Sequence, residues 1–114
     1  LEDLQKVSDE SKIKLALRAG EIIALREDTL LTEEHNDSWQ LFSGNGKFTA
    51  VYFKEDKSQL PQLLKKLEKE KSPVALYIFS WGKNEYKSEY SSPLIRVEDI
   101  PEPILEVYKE LNRA

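Results

Sequence analysis

The residues best suited to chemistry in this chain lie between Trp81 and Tyr90: Trp81, Lys83, Asn84, Tyr86, Lys87 and Tyr90. Indole and phenol rings offer flat faces on which a nucleobase stacks, lysines meet phosphate oxygens, and an asparagine amide both donates and accepts hydrogen bonds. Aromatic and basic side chains interleaved in this way suit contact with a nucleotide or a nucleic-acid strand. The same rings also suit the plainer duty of covering the open end of a core, and Glu85 and Glu89 dilute the positive charge. Both readings of the stretch stand, with Trp81, Lys83, Asn84, Tyr86 and Lys87 as the candidate contacts.

Other constellations are weaker. Phe42-Ser43-Gly44-Asn45-Gly46 has the F-x-G-x-G spacing with which many amino-methyltransferases cradle S-adenosylmethionine, but that cradle opens a helix. Here the glycines lead into Phe48-Thr49-Ala50-Val51-Tyr52-Phe53, a strand-forming run, so Asn45-Gly46 reads as a hairpin turn. The lone histidine, His35, sits among acids with no nucleophile elbow in the chain, which speaks against a Ser-His-Asp triad. With no cysteine and one histidine, thiolate and multi-histidine metal sites are excluded, and nothing in the carboxylate spacing favours a metal. Most acids fall beside lysines on helix exteriors. No catalytic residue, cofactor-binding residue or metal ligand is assigned in the chain itself.

The candidate loop follows Pro73-Val74-Ala75-Leu76-Tyr77-Ile78-Phe79, an apolar run too short for a typical helix and rich in β-branched and aromatic residues. It reads as a strand buried on both faces. Before it, Leu60, Leu63, Leu64 and Leu67 recur at i, i+3, i+4 and i+7 opposite a lysine- and glutamate-rich face, a helix capped by Asp56 or Ser58 and stopped by Pro73. Trp39–Phe42 and Phe48–Phe53 form the hairpin. From Phe48 to Ser80 the order is therefore strand, helix, strand, the form of a crossover between parallel strands. A loop beyond the carboxyl end of such a strand is a common place for a ligand.

The flanks complete the reading. A helix begins at Ser8 or Asp9 and carries Ile13, Ala16, Leu17, Ile23 and Ala24 at helical spacing. Gly20 either interrupts it or lets another backbone come close. Glu27–Asp37 reads as a loop with a short extended piece at Thr29–Thr32, Leu94–Val97 as an edge strand with one wet face, and Ile104, Leu105, Tyr108 and Leu111 as one side of a last helix started by two prolines. The expected fold is α/β, on the border with α+β: a mixed sheet of about four strands, with one hairpin and one crossover, and about three packed helices.

A chain of 114 residues, 39% hydrophobic and 33% charged, is the size of one domain with a single core, spanning residues 1–114. It holds no methionine and begins at Leu1, so it is expected to be a fragment of a larger protein. No run approaches the roughly 20 apolar residues that cross a bilayer. The expectation is a soluble, cytoplasmic protein without a membrane partner. The net charge of −4 leaves no broad positive field, so any DNA contact must be local.

Four strings carry a family likeness: Leu15-Ala16-Leu17-Arg18-Ala19-Gly20-Glu21-Ile22-Ile23-Ala24-Leu25-Arg26, Ala50-Val51-Tyr52-Phe53-Lys54-Glu55-Asp56, Leu76-Tyr77-Ile78-Phe79-Ser80-Trp81, and Ile100-Pro101-Glu102-Pro103-Ile104-Leu105-Glu106-Val107-Tyr108. Together they resemble the carboxyl-terminal region of prokaryotic site-specific, adenine-specific DNA methyltransferases of restriction-modification systems. The resemblance covers nearly the whole chain, although its strings are not active-site motifs. It implies a parent enzyme that transfers a methyl group from S-adenosylmethionine to a flipped base. No Asp-Pro-Pro-Tyr or Ser-Pro-Pro-Tyr tetrapeptide occurs here, Ser91-Ser92-Pro93-Leu94 being the nearest string. The resemblance therefore implies a non-catalytic accessory domain whose partners are DNA, weakly and through the parent, and the catalytic domain or another subunit. The alternatives are a protein-interaction module using Leu94–Val97 or the terminal helix, and a small enzyme or cofactor binder at the loop after Phe79.

Overall fold

A computed structural model describes residues 9–81, 86–90 and 92–113, with the side chains of 9–13, 87 and 88 outside the description. In chain order the elements are α1 (Asp9–Arg26), β1 (Leu31–His35), β2 (Trp39–Gly44), β3 (Lys47–Tyr52), α2 (Leu60–Glu70), β4 (Val74–Ile78), α3 (Lys87–Tyr90), β5 (Ile95–Glu98) and α4 (Glu102–Leu111). The strands form one five-stranded mixed sheet in the order β1-β2-β3-β4-β5. Strands β1, β2 and β3 are antiparallel neighbours, and β4 and β5 continue parallel to β3. This is the expected mixed sheet with packed helices, of α+β class, with one strand more than anticipated.

The hairpin lies where the sequence places it. Gly44 pairs with Lys47, leaving Asn45 and Gly46 as a two-residue turn with φ of 52° and 77°. Positive φ at both centres matches the right-handed twist of the strands and is tolerated best by Asn and Gly. The glycines of Phe42-Ser43-Gly44-Asn45-Gly46 thus shape a turn between two strands. The extra strand is β1, which lies in the stretch expected to be a loop and overlaps the short extended piece expected at Thr29–Thr32 only at Leu31 and Thr32. Its residues Leu31-Thr32-Glu33-Glu34-His35 lack apolar alternation because all but the half-buried Glu34 are exposed on a sheet edge, with a register shift between Thr32 and Glu34. Two successive hairpins are present in place of one.

The crossover is also as expected: β3, α2 and β4 run as strand, helix and parallel strand, and every residue of β4 is buried. Helix α2 buries Leu60, Leu63 and Leu67 to 1% exposure or less, each contributing about 1.5–3 kcal/mol by removal from water. Neither expected cap performs that role. Gln59 occupies the N-cap position without a side-chain bond, while Asp56 Oδ1 accepts the Ser58 amide at 2.9 Å and turns the chain ahead of the helix. At the far end Lys71 adopts a left-handed φ of 53° before Pro73.

Successive residues of each strand point to opposite faces, and the sheet divides the apolar interior in two where a single core was expected. On one face Phe42, Val51, Ala75, Tyr77 and Phe79 pack with α1 and α4 through Ala16, Ala19, Ile23, Ile104 and Tyr108. On the other, Leu41, Ala50, Tyr52, Leu76 and Ile78 pack with α2. Helix α1 runs through Gly20 without a break. What comes close there is the side chain of Gln40, together with the Phe42 ring, and not another backbone: a Cβ at Gly20 would lie 1.7 Å from Gln40 Oε1. Strand β5 (Ile95–Glu98) is an edge with alternate residues exposed, as expected, and the segment before it contains the single-turn helix α3.

Candidate functional site at the carboxyl ends of the parallel strands

Strand β4 is extended past Ile78 by the Phe79 amide, which donates to the Tyr52 carbonyl at 2.7 Å. That bond holds Phe79 fully buried at the carboxyl ends of β3 and β4. Two residues on, Trp81 is 45% exposed and packs edge-on against Phe79, with ring centroids 5.3 Å apart and planes at 76°. The arrangement is favourable for two aromatic quadrupoles and leaves much of the indole in solvent. Tyr86 is half-buried and stacks on Tyr90 at 5.9 Å.

A residue that sequence reasoning missed joins these rings. The Lys57 ammonium lies 5.7 Å from the Tyr52 centroid, 5.7 Å from Phe79 and 5.6 Å from Tyr86. It also donates to the Lys54 and Glu55 carbonyls at 2.8 and 2.9 Å. A cation over three ring faces gains from each quadrupole and ties the loop before α2 to the aromatic end of β4. Tyr52 is fixed from below, donating its hydroxyl proton to the Asp56 carbonyl at 2.6 Å and accepting from the Gln59 amide at 3.2 Å. Burial pushes the Tyr52 phenol above its ordinary value of 10.0, although the accepted bonds work against that shift.

Beside this cluster a polar groove of about 390 Å³ opens between the β1–β2 turn (Asn36, Asp37, Ser38) and the loop from β3 to α2 (Lys54, Asp56, Ser58, Gln59). Asn36 Oδ1 accepts the amides of Ser38 and Trp39 at 2.8 and 2.9 Å, so one wall is pinned by a local turn. Hydrogen bonds from Ser58 hold the Asp56 carboxyl below the usual range, keeping it ionised in the groove. Asn112, at the end of α4, braces the same loop by donating to the Phe53 carbonyl and accepting from the Glu55 amide, each at 2.8 Å.

Of the predicted contacts, the structure brings Trp81 and Tyr86 together around Phe79 and Lys57. Lys83 and Asn84 lie outside the described residues, and Lys87 lies in α3 with its side chain outside them. The groove and Lys57 were not singled out from the sequence: a predicted crossover has two loops at the carboxyl ends of its strands, and only the one after β4 carries the aromatic-basic signature.

The remaining polar clusters are structural. Tyr77 donates to Glu27, which also receives Arg96 Nη2 at 2.9 Å, while Arg96 Nε lies 2.5 Å from Glu98. Burial and then the Glu27 carboxylate keep the Tyr77 phenol protonated far above its ordinary value of 10.0. Glu34 receives Trp39 Nε1–H at 2.7 Å and Lys66 Nζ at 2.5 Å, fastening β1 to the helix below it. His35 is exposed on β1. Among the described residues no group of three or more His, Cys, Asp or Glu could hold a metal ion, and no helix is long and apolar enough to cross a membrane.

No family model matches the chain, and comparisons with curated proteins and with solved structures likewise return no match.

Proposed function

We propose that this chain is a non-catalytic, carboxyl-terminal accessory domain of a cytoplasmic, site-specific DNA methyltransferase. It assists the parent in engaging DNA, or contacts another subunit, while S-adenosylmethionine and the chemistry reside elsewhere in the parent. The reading is supported by the resemblance of four strings spread over the chain. In the fold it rests on one observation, the half-exposed Trp81 held edge-on by Phe79 at the carboxyl end of the central parallel strand. An indole so placed is a stacking platform for an unpaired base, of the kind exposed when a nucleotide leaves the duplex. The acidic balance of the chain, −4 overall, makes the contact local and weak, with a shallow dependence on salt.

The test uses the two tryptophans. Trp39 is 4% exposed and hydrogen-bonded to Glu34, so quenching of fluorescence by added oligonucleotide reports Trp81. Single-stranded DNA is expected to quench the wild type. In fluorescence polarisation of a dye-labelled oligonucleotide, which needs no tryptophan in the protein, Trp81→Ala and Lys83→Ala are each expected to weaken binding with the circular dichroism unchanged. Stacking on an aromatic contributes about 1–3 kcal/mol, so Trp81→Ala should weaken binding by roughly 5- to 150-fold. Equal affinity in all three proteins would remove the loop from the argument. An encoding reading frame without S-adenosylmethionine-dependent methyltransferase motifs would remove the parent.

A further inference from the structure

Helix α1 buries three alanines and Ile23 and leaves three of its large apolar residues facing outward. Ala16, Ala19, Ile23 and Ala24 are buried against the sheet and α4, whereas Leu15, Ile22 and Leu25 are 43%, 57% and 64% exposed. At 3.6 residues per turn these three and Arg18 fall within about 80° of arc, and Leu15 to Leu25 spans about 15 Å along the axis. An apolar stripe on the side of a helix opposite its core marks a surface that a further element covers.

The charges beside the stripe say what kind. Among the described side chains of α1, Lys14, Arg18 and Arg26 are exposed there against one acid, Glu21, three cations to one anion on a chain whose net charge is −4. A second copy brought face to face would set cations against cations. The complement is an apolar seam with carboxylates along its flanks, the pattern that selects partners in paired helices. Resting on the reading above, we infer that the outer face of α1 docks an acidic-flanked amphipathic helix of the polypeptide that carries the methyltransferase chemistry.

Photo-cross-linking in the complete product of the encoding reading frame tests this, with benzoylphenylalanine in place of Ile22 and, as control, in place of Lys65 on the exposed side of α2. The expected result is an adduct from position 22 alone, mapping to a segment with apolar residues at helical spacing flanked by Asp and Glu. Arg18→Glu should lower its yield about threefold with unchanged circular dichroism, the size of one lost rim ion pair. Equal yields from both positions, an adduct with a second copy, or binding to phosphatidylserine vesicles in place of a protein adduct would overturn the inference. A frame with methyltransferase motifs but no adduct defeats the docking surface and leaves the parent reading intact. An acidic-flanked adduct in a polypeptide lacking those motifs does the reverse.

Discussion

Gly20→Ala tests how closely α1 is fitted to the sheet. The added methyl group would sit 1.7 Å from Gln40 Oε1, 2.9 Å from its Cδ and 3.2 Å from Phe42 Cζ. Gln40 is 1% exposed and Phe42 fully buried, so neither side chain has solvent to move into. Alanine gains about 1 kcal/mol over glycine in a helix interior, while forcing a methyl into a packed site costs about 1–3 kcal/mol. The balance is a net loss of up to about 2 kcal/mol. Urea unfolding followed by circular dichroism measures it. The decisive comparison is the same change on a Gln40→Ala background, where the obstructing amide is gone. There Gly20→Ala should stabilise by about 1 kcal/mol, so that a double-mutant cycle returns a coupling of about 1–3 kcal/mol. Effects of equal sign and size in both backgrounds would refute the idea that the glycine is required by Gln40.

Two buried tyrosines should answer oppositely to loss of the hydroxyl. Tyr77→Phe breaks the bond to Glu27 and should cost about 1.5–3 kcal/mol, whereas Tyr108, whose hydroxyl has no partner among the described residues, should tolerate Phe or gain from it. Because folding raises both phenols, the folded state keeps protons that the unfolded chain loses above pH 10.0, and stability should fall as pH rises beyond that value, less steeply in either Phe variant. On the acid side, the bond from Lys66 and then that from Trp39 hold Glu34 below its ordinary 4.5 against the opposing effect of burial. Its contribution is present above pH 4.5 and lost as pH falls through the lowered value; given the exposure of the pair, Glu34→Gln should remove no more than about 1 kcal/mol near neutrality and flatten that acid limb of the unfolding curve.

What could be read from the sequence was what local chemistry dictates. Asn45-Gly46 between two strand-forming runs leaves little but a tight hairpin, and the leucine spacing of α2 followed by Pro73 and an apolar run leaves little but a crossover. Strand β1 escaped because an edge strand needs only backbone pairing, and its exposed Thr32, Glu33 and His35 show no period-2 pattern. The caps of α2 were misassigned because Asp56 spends its side chain on the turn two residues earlier than the helix requires. In the site, Trp81 and Tyr86 were visible as aromatic letters in a polar loop. Lys57 was not, since its meaning comes from Tyr52, Phe79 and Tyr86, which meet only after the crossover folds.

Both faces of the sheet are covered, by α1 and α4 on one side and α2 on the other, so any partner must engage strand ends, sheet edges or outer helix surfaces. The edges are poorly suited to strand addition. Strand β1 presents Glu33 and Glu34, and β5 presents Arg96 held between Glu27 and Glu98 with α3 packed alongside. That weighs against the β5 edge as an interaction surface. Among the described residues two surfaces stand out, the aromatic and polar carboxyl end around Trp81 and the apolar, basic outer face of α1. They differ in the chemistry they accept, since the first offers stacking and hydrogen bonding to a small exposed group and the second offers a seam as long as about three helical turns. A domain with one surface of each kind can be anchored through the helix while the strand ends stay free to meet a ligand, which is why loss of Trp81 and loss of the α1 stripe should have separable effects.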